Sequence, residues 1–276
     1  MEFYNYKIAT MFKIIVLAKQ VPDTRNVGPE AMTPEGTVNR AALPAVFNPE
    51  DLNALEQAIR LKEQHPGSTI TMLTMGLPKA TEVLREGLYR GADNGILLTD
   101  RALGGADTLA TSYSLAQAIK KIGDYDIILC GRQAIDGDTA QVGPQVAEKL
   151  GLSQITYTEE ILECTKEKIV ARRHIDGGVE TVEAPLPIVV TVNGSAAPCR
   201  SRNVKCVMAY KKAEFTTWGA ADIDADPAQI GKAGSPTNVK AVKSIVFKAK
   251  ETKTLTSSDE DIDNLMKELI ESNTIG

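Results

Sequence analysis

The chain has 276 residues, 43% of them hydrophobic and 24% charged, which excludes a disordered chain and allows one large domain or two small ones. Its 31 basic residues against 36 acidic ones leave a net charge of −5, and they form no block longer than a pair such as Lys211-Lys212, so no nucleic-acid surface is expected. No apolar run approaches the roughly 18 residues of a membrane span, and Met1-Glu2-Phe3-Tyr4-Asn5-Tyr6 lacks the basic and then apolar pattern of a signal peptide; the expected location is the cytoplasm.

Residues 1–10 read as an unpaired tail or an alternative start before Met11. A buried strand follows, Phe12 to Ala18, and three more short apolar runs bounded by turn residues read the same way: Ile70–Met75, Gly95–Leu98 and Tyr125–Cys130. Between them lie amphipathic helices. Asn48-Pro49-Glu50-Asp51 is a start signal, with Asn as N-cap, Pro at the first position and acids in the first turn; Leu52, Leu55 and Ile59 then share a face, and Gly67 lies beyond the end. A second helix is expected from Lys79 to Arg90, stopped by Gly91. A third starts near Asp107 with Leu109, Tyr113 and Ala116 as its stripe, and a fourth starts near Thr139 with Val142, Val146 and Leu150. Alternation of strand and helix predicts an α/β fold: a Rossmann-like parallel sheet with helices on both faces.

The pattern then changes. Ile155–Thr158, Lys168–His174, Val179–Glu183 and Ile188–Val192 read as extended segments, and Asp176-Gly177-Gly178 as a hairpin turn, so a β-hairpin is added to the sheet. After Tyr210 come turn-rich stretches, 220–227 and 231–237, and a short helix from Ser258, with Asp261 completing a capping box, through Leu265 and Leu269. The expected division is an α/β domain over 11–209 and an extended C-terminal arm over 210–276 that packs on another chain, the alternative being a loose tail.

Cys130, Cys164, Cys199 and Cys206 include no C-x2-C pair and read as reduced, structural thiols. His65 and His174 have no plausible metal-binding neighbour, and no serine, histidine and acid form a triad, so neither a metal site nor catalytic side chains are expected. The richest segment is Gly131-Arg132-Gln133-Ala134-Ile135-Asp136-Gly137-Asp138-Thr139-Ala140-Gln141-Val142-Gly143-Pro144, between a buried strand and a helix. In an open α/β sheet, ligands sit at the carboxyl ends of strands, and a helix N-terminus there suits phosphate. Gly131 and Gly137 admit close backbone approach, and Arg132 offers charge for a phosphate or else pairs with Asp136 or Asp138. The segment is neither a Walker loop nor G-x-G-x-x-G, and it reads as a nucleotide site or as a capped connecting loop. Two other strand ends point the same way, Lys19-Gln20-Val21-Pro22-Asp23-Thr24 and Gly104-Gly105-Ala106-Asp107-Thr108. A bound redox cofactor fits the lack of catalytic side chains.

These residues resemble the β subunit of electron transfer flavoprotein. The likeness rests on Gly131 to Asp136, on the hairpin segment Ala171 to Thr191, and on Asn48-Pro49 with the helix Ala54 to Lys62, and it covers about Met11 to Gly276. The resemblance implies a heterodimer in which the arm lies against an α subunit. It also implies either AMP in β as a structural nucleotide or, in the electron-bifurcating branch, a second FAD. Val21 to Thr24, Gly104 to Ser112, Ile135 to Pro144 and Gly231 to Thr237 look like that branch. Carried over, Leu17, Asn48, Asp51 and Met75 would line the adenosine side, Gly131 to Val142 would hold the phosphates, and Thr108 and Thr111 would face the flavin. The implied partners are the α subunit, an acyl-CoA or enoyl-CoA dehydrogenase, NADH, and ferredoxin or flavodoxin.

One departure concerns docking: the loop that often presents a leucine to dehydrogenases has Asn203 there, in Pro198-Cys199-Arg200-Ser201-Arg202-Asn203. Arg200, Arg202 and Lys205 would then meet an acidic partner or remain solvated. The competing functions are an AMP-holding β subunit without its own redox centre and a stand-alone ATP-binding α/β protein.

Overall fold

The computed structural model of the chain describes residues 10–23, 44–237 and 252–275. In chain order the first elements are β1 (Lys13–Leu17), β2 (Gln20–Pro22), β3 (Ala45–Phe47), α1 (Pro49–Gln64), β4 (Thr69–Met75) and α2 (Thr81–Arg90). Then come β5 (Asn94–Leu98), α3 (Thr108–Ile122), β6 (Ile127–Gly131), α4 (Val142–Leu150) and β7 (Ser153–Cys164). The chain closes with β8 (Lys168–Ile175), β9 (Gly178–Pro185), β10 (Ile188–Val192), α5 (Val204–Tyr210), β11 (Thr216–Trp218) and α6 (Asp259–Glu271).

Nine strands make one sheet in the order β11-β5-β4-β1-β6-β10-β7-β8-β9, parallel from β11 to β7 and antiparallel beyond. The central strands are apolar on both faces, as a sheet covered twice requires. In β1, Ile14 and Val16 join the core under α1 and α2, while Ile15 and Leu17 join the core under α3 and α4. Leu55, Ile59 and Leu84 close the first core, and Leu115, Ile119 and Val146 close the second. Each such side chain contributes about 1.5–3 kcal/mol on burial. The Rossmann-like α/β sheet with helices on both faces and an added hairpin is the architecture that the strand–helix alternation predicts.

Several elements differ from the sequence reading. β7 runs on to Cys164 rather than ending at Thr158, because β8 pairs back along it as far as Cys164↔Ile169. α4 starts at Val142, not Thr139: Asp138 and Ala140 sit at φ 49° and 52°, outside helical space. The stripe expected on α3 is rotated. Leu109 is 40% exposed, and Ala116, alone of the expected stripe, is buried, together with Ala110, Ser112, Ser114, Leu115, Ala118 and Ile119. Ser258 caps α6 by accepting from the Asp261 N–H, but the Asp261 carboxylate accepts from Thr256 instead of closing a capping box.

Part of the chain after Tyr210 joins the core of the α/β domain. β11 extends the sheet beside β5, and Ile223 and Ile230 are buried in the α3 and α4 core. α6, by contrast, buries no residue and exposes Ile262, Leu265, Met266 and Ile270. The tail expected over residues 1–10, Thr10 apart, and Thr24 lie outside the described residues.

Candidate ligand-binding site

From β1 the chain moves outward to β4 and β5, then crosses back to β6 on the other side of β1. Where the order reverses, the loops leaving neighbouring strands diverge and open a crevice at the carboxyl ends. A cavity of about 410 Å³ lies there, within the size range of small-molecule sites. Its floor is apolar, built from Leu17, Leu73, Met75, Leu103 and Leu115, and two backbone walls rise from it. One is the segment from Gly131 into α4, and the other is the loop before α3 with that helix's first turn.

The first wall is held by the start of α1. Asn48 takes the N-cap position, yet its side chain makes no cap bond. Instead its Nδ2 donates to the Gln133 carbonyl at 2.8 Å and its Oδ1 accepts from the Ile135 N–H at 3.2 Å. One Glu50 oxygen accepts from Arg132 Nη2 at 3.0 Å and the other from the Gln133 N–H at 2.9 Å. Asp51 Oδ2 accepts from the Lys19 N–H and Oδ1 from the Gly131 N–H, both at 2.8 Å. Three polar side chains at the start of α1, those of Asn48, Glu50 and Asp51, thus tie down the chain leaving β1 and β6. This requires contact at Gly131, where a Cβ would lie 2.6 Å from Asp51 Oδ1.

Burial pushes the Asp51 carboxyl up to about 7, and the Glu50 charge adds to the rise. The N–H groups of Lys19 and Gly131 and the Asn48 side chain oppose it. Burial also pushes the Cys130 thiol far up, so this cavity-lining sulfur is an apolar surface rather than a nucleophile.

Arg132 pairs with neither Asp136 nor Asp138. Its partner is Glu50, and its guanidinium lies over the Tyr157 ring, 5.4 Å from the centroid. Asp136 is taken by Lys19, whose Nζ donates to both carboxylate oxygens at 2.7 and 2.9 Å. Asp138 accepts from Gln133 Nε2 at 2.9 Å. The two walls meet where Thr108 Oγ1 donates to Gln141 Oε1 at 2.8 Å. α4 has no side-chain cap, and its first residues, Val142 and Gly143, line the cavity, so its N-terminal N–H groups and positive dipole end face the space. Gly143 makes that approach possible: a Cβ there would lie 2.6 Å from Thr191 Cγ2 and 2.9 Å from Cys130 Sγ.

Of the residues singled out by sequence, Leu17, Asp51, Met75, Thr108, Thr111, Gly131–Ala134 and Gly137–Val142 line this one cavity. Asn48, Ile135 and Asp136 do not; they brace the loop from outside. Lys19, Gly105, Ala106 and Asp107 belong to the two other strand ends and join the lining. Leu73, Leu103, Leu115 and Cys130 carried no sequence signal, because an apolar cavity floor reads like core.

Neither Arg200 nor Arg202 is a free loop charge. Arg200 is forked onto Glu56 and Glu63 of α1, and Arg202 pairs with Glu86 of α2. Asn203 accepts from the Lys205 and Cys206 N–H groups and so caps α5, leaving Val204 and Met208 exposed. All four cysteines are free thiols, and no metal-binding cluster occurs among the described residues.

Comparison with known proteins shows the family. The family described as Electron transfer flavoprotein domain matches residues 35–223. The chain is 47% identical to the electron transfer flavoprotein subunit beta of Megasphaera elsdenii over 236 residues, 83% of this chain and 86% of the relative. It is 44% identical over 227 residues to the caffeyl-CoA reductase-Etf complex subunit CarD of Acetobacterium woodii, covering 82% of this chain and 86% of the relative. It is 41% identical over 234 residues to the acryloyl-CoA reductase electron transfer subunit gamma of Anaerotignum propionicum, again 82% and 86%.

Proposed function

This chain belongs to the electron transfer flavoprotein β-subunit family, and from that premise we propose that it holds FAD in the cavity between β1 and β6 as one half of an electron-transferring heterodimer. The carrying observation is the cavity at the strand-order reversal, faced by the uncapped N-terminus of α4. The N–H groups of Val142 and Gly143 bind phosphate oxygens, and Asp51 holds Gly131 and Lys19 in place for the adenosine side. Small residues support the larger ligand: Gly105, Ala106, Gly137 and Ala140 line the cavity with little side-chain volume. No atom lies within 4 Å of the position a Gly137 Cβ would take.

FAD bound there would supply two-electron oxidation of NADH, with one electron leaving for the α-subunit flavin and a dehydrogenase and the other for ferredoxin or flavodoxin. The relatives named for caffeyl-CoA and acryloyl-CoA reductases favour an acyl-CoA or enoyl-CoA dehydrogenase as the first acceptor. The protein's own part is to place the ligand on an apolar floor that excludes water and to tune its charge through the Arg132–Glu50 pair. The exposed apolar face of α6 is offered to the α subunit, and Val204 and Met208 to the dehydrogenase. A visible spectrum of the purified heterodimer, with chromatography of acid-released nucleotide, tests the reading. Two flavins per αβ pair are expected; one flavin plus AMP would replace FAD with the structural nucleotide.

A further inference from the structure

The loop that forms the second cavity wall is held by chain that arrives more than a hundred residues later. Residues 230–237 cross directly behind it. The Asp107 N–H donates to Ser235 Oγ at 2.8 Å, and Ser235 Oγ donates in turn to the Gly231 carbonyl at 2.7 Å. Ser235 is 7% exposed, so its hydroxyl has little access to water as a substitute partner. The Asp107 carboxylate divides its acceptors: Oδ1 takes the Ala110 N–H and caps α3, while Oδ2 takes the Thr237 N–H, both at 3.0 Å. Backbone contact continues at Lys232, whose N–H donates to the Gly104 carbonyl at 3.1 Å.

The crossing tolerates no side chain at Gly231, and the turn of the crossing segment itself tolerates none at Gly234. A Cβ at Gly231, where φ is 52°, would lie 2.0 Å from the Ala102 carbonyl oxygen, and one at Gly234 would lie 2.1 Å from the Gln229 carbonyl carbon. Close approach is therefore written into the sequence as Gly-Lys-Ala-Gly-Ser. The held loop is a cavity wall: Leu103, Gly105 and Ala106 line the space, and Thr108, directly after Asp107, carries the bond to Gln141 on the opposite wall.

We propose that Gly231–Thr237 is a clasp on the ligand cavity, with Ser235 and Asp107 as positioning residues that set the α3 wall and hence ligand affinity. The inference rests on the reading of this cavity as the nucleotide site. Thermodynamic reciprocity extends it: if the clasp favours the ligand-competent wall, ligand also favours the closed clasp. Asp107 is suited to the task as an anion. Burial works against its charge, but the donated N–H groups of Ala110 and Thr237 outweigh that and hold its carboxyl below the usual carboxylate range.

The test uses the full-length chain with its nucleotide removed and AMP as the probe. AMP affinity is measured by calorimetry, and amide hydrogen exchange is followed over residues 103–111 with and without AMP. Ser235→Ala removes both hydroxyl bonds, and AMP affinity is expected to fall about fivefold, with faster exchange over 103–111 that saturating AMP reverses. Thr237→Pro removes the backbone and side-chain donors of Thr237 to Asp107 at an exposed position and is expected to act in the same direction. Ser235→Thr keeps the hydroxyl and is expected to restore affinity. A merely structural Ser235 would lower thermal stability without the AMP-reversible exchange. Wild-type affinity and wild-type exchange in both Ser235→Ala and Thr237→Pro would overturn the clasp while leaving the nucleotide site standing. Absence of both AMP and FAD binding in the wild-type chain would overturn the site itself, and the clasp with it.

Discussion

Asp51 brings a carboxyl group into the interior at the base of the site, and its titration links that base to the stability of the whole chain. The unfolded group titrates near 3.8, whereas burial moves the native one up to about 7. Between these values the native chain holds more protons than the unfolded one, so this group's contribution to stability is full below the lower value. It is lost as pH rises through the upper one. Asp51→Asn is expected to flatten that decline in urea unfolding across the window, at lower overall stability because only one amide atom accepts. A decline unchanged in the variant would assign it to other groups. The glycines make a contrasting pair. Gly131→Ala drives a methyl group into Asp51 and the backbone of Glu50, so a loss of about 1–3 kcal/mol is expected in the same assay. Gly137→Val places its Cβ within 4 Å of no protein atom and should melt as the wild type does, yet its branched side chain narrows the rim; nucleotide released by acid should drop severalfold. Arg132 and Glu50 carry opposite charges beside one loop. With FAD in the cavity as proposed, Arg132→Ala should lower its potential and Glu50→Gln should raise it, and spectroelectrochemical titration showing both unchanged would remove the pair from redox tuning.

Among the elements, the C-terminal quarter divides in two. A chain ending at Tyr210 would lose β11 together with Ile223 and Ile230, and so part of the α3 and α4 core; it is expected to melt lower and to retain less nucleotide. A chain lacking 252–276 loses α6, which has no buried residue, together with its flanking residues. It should keep the wild-type melting temperature and fail to co-purify with the α subunit, and a stable heterodimer without α6 would show that the arm's contact lies elsewhere. The central strands were legible because each is a short apolar run between turn residues, buried on both faces, and that pattern survives any tertiary arrangement. β2, β3 and β11 were not legible, because three residues show no period and their pairing depends on distant chain. The α4 boundary was misplaced for a different reason. Asp138 and Ala140 both adopt left-handed backbone; Asp tolerates it, but nothing about an alanine announces it.

For the whole molecule, the order of strands decides where a ligand sits, and that order is the least legible feature of the sequence. The segment after β6 was recognisable by its own residues, but the apolar floor and the α3 wall join it only because β6 lies beside β1. Ligand should therefore stabilise both halves of the sheet together: AMP at about a hundred times its dissociation constant should add about 2.7 kcal/mol to unfolding, read as one cooperative transition moving upward. Two separate transitions would mean that the walls unfold independently. The sheet edge beyond β5 has a further consequence for synthesis. β5 is closed by Thr216↔Ile96, Thr217↔Leu97 and Trp218↔Leu98, and Asp100 receives the Ala220 N–H across 120 positions of sequence. A ribosome adding about 5–20 residues per second leaves that edge without its neighbour for at least several seconds. During that interval Gly95-Ile96-Leu97-Leu98 presents open N–H and carbonyl groups on an apolar strand, a template for pairing with other nascent chains. Crowded expression therefore endangers this protein most before residue 218 has emerged, and slower initiation, which spaces the chains apart, should raise its soluble yield more than any change to the finished fold.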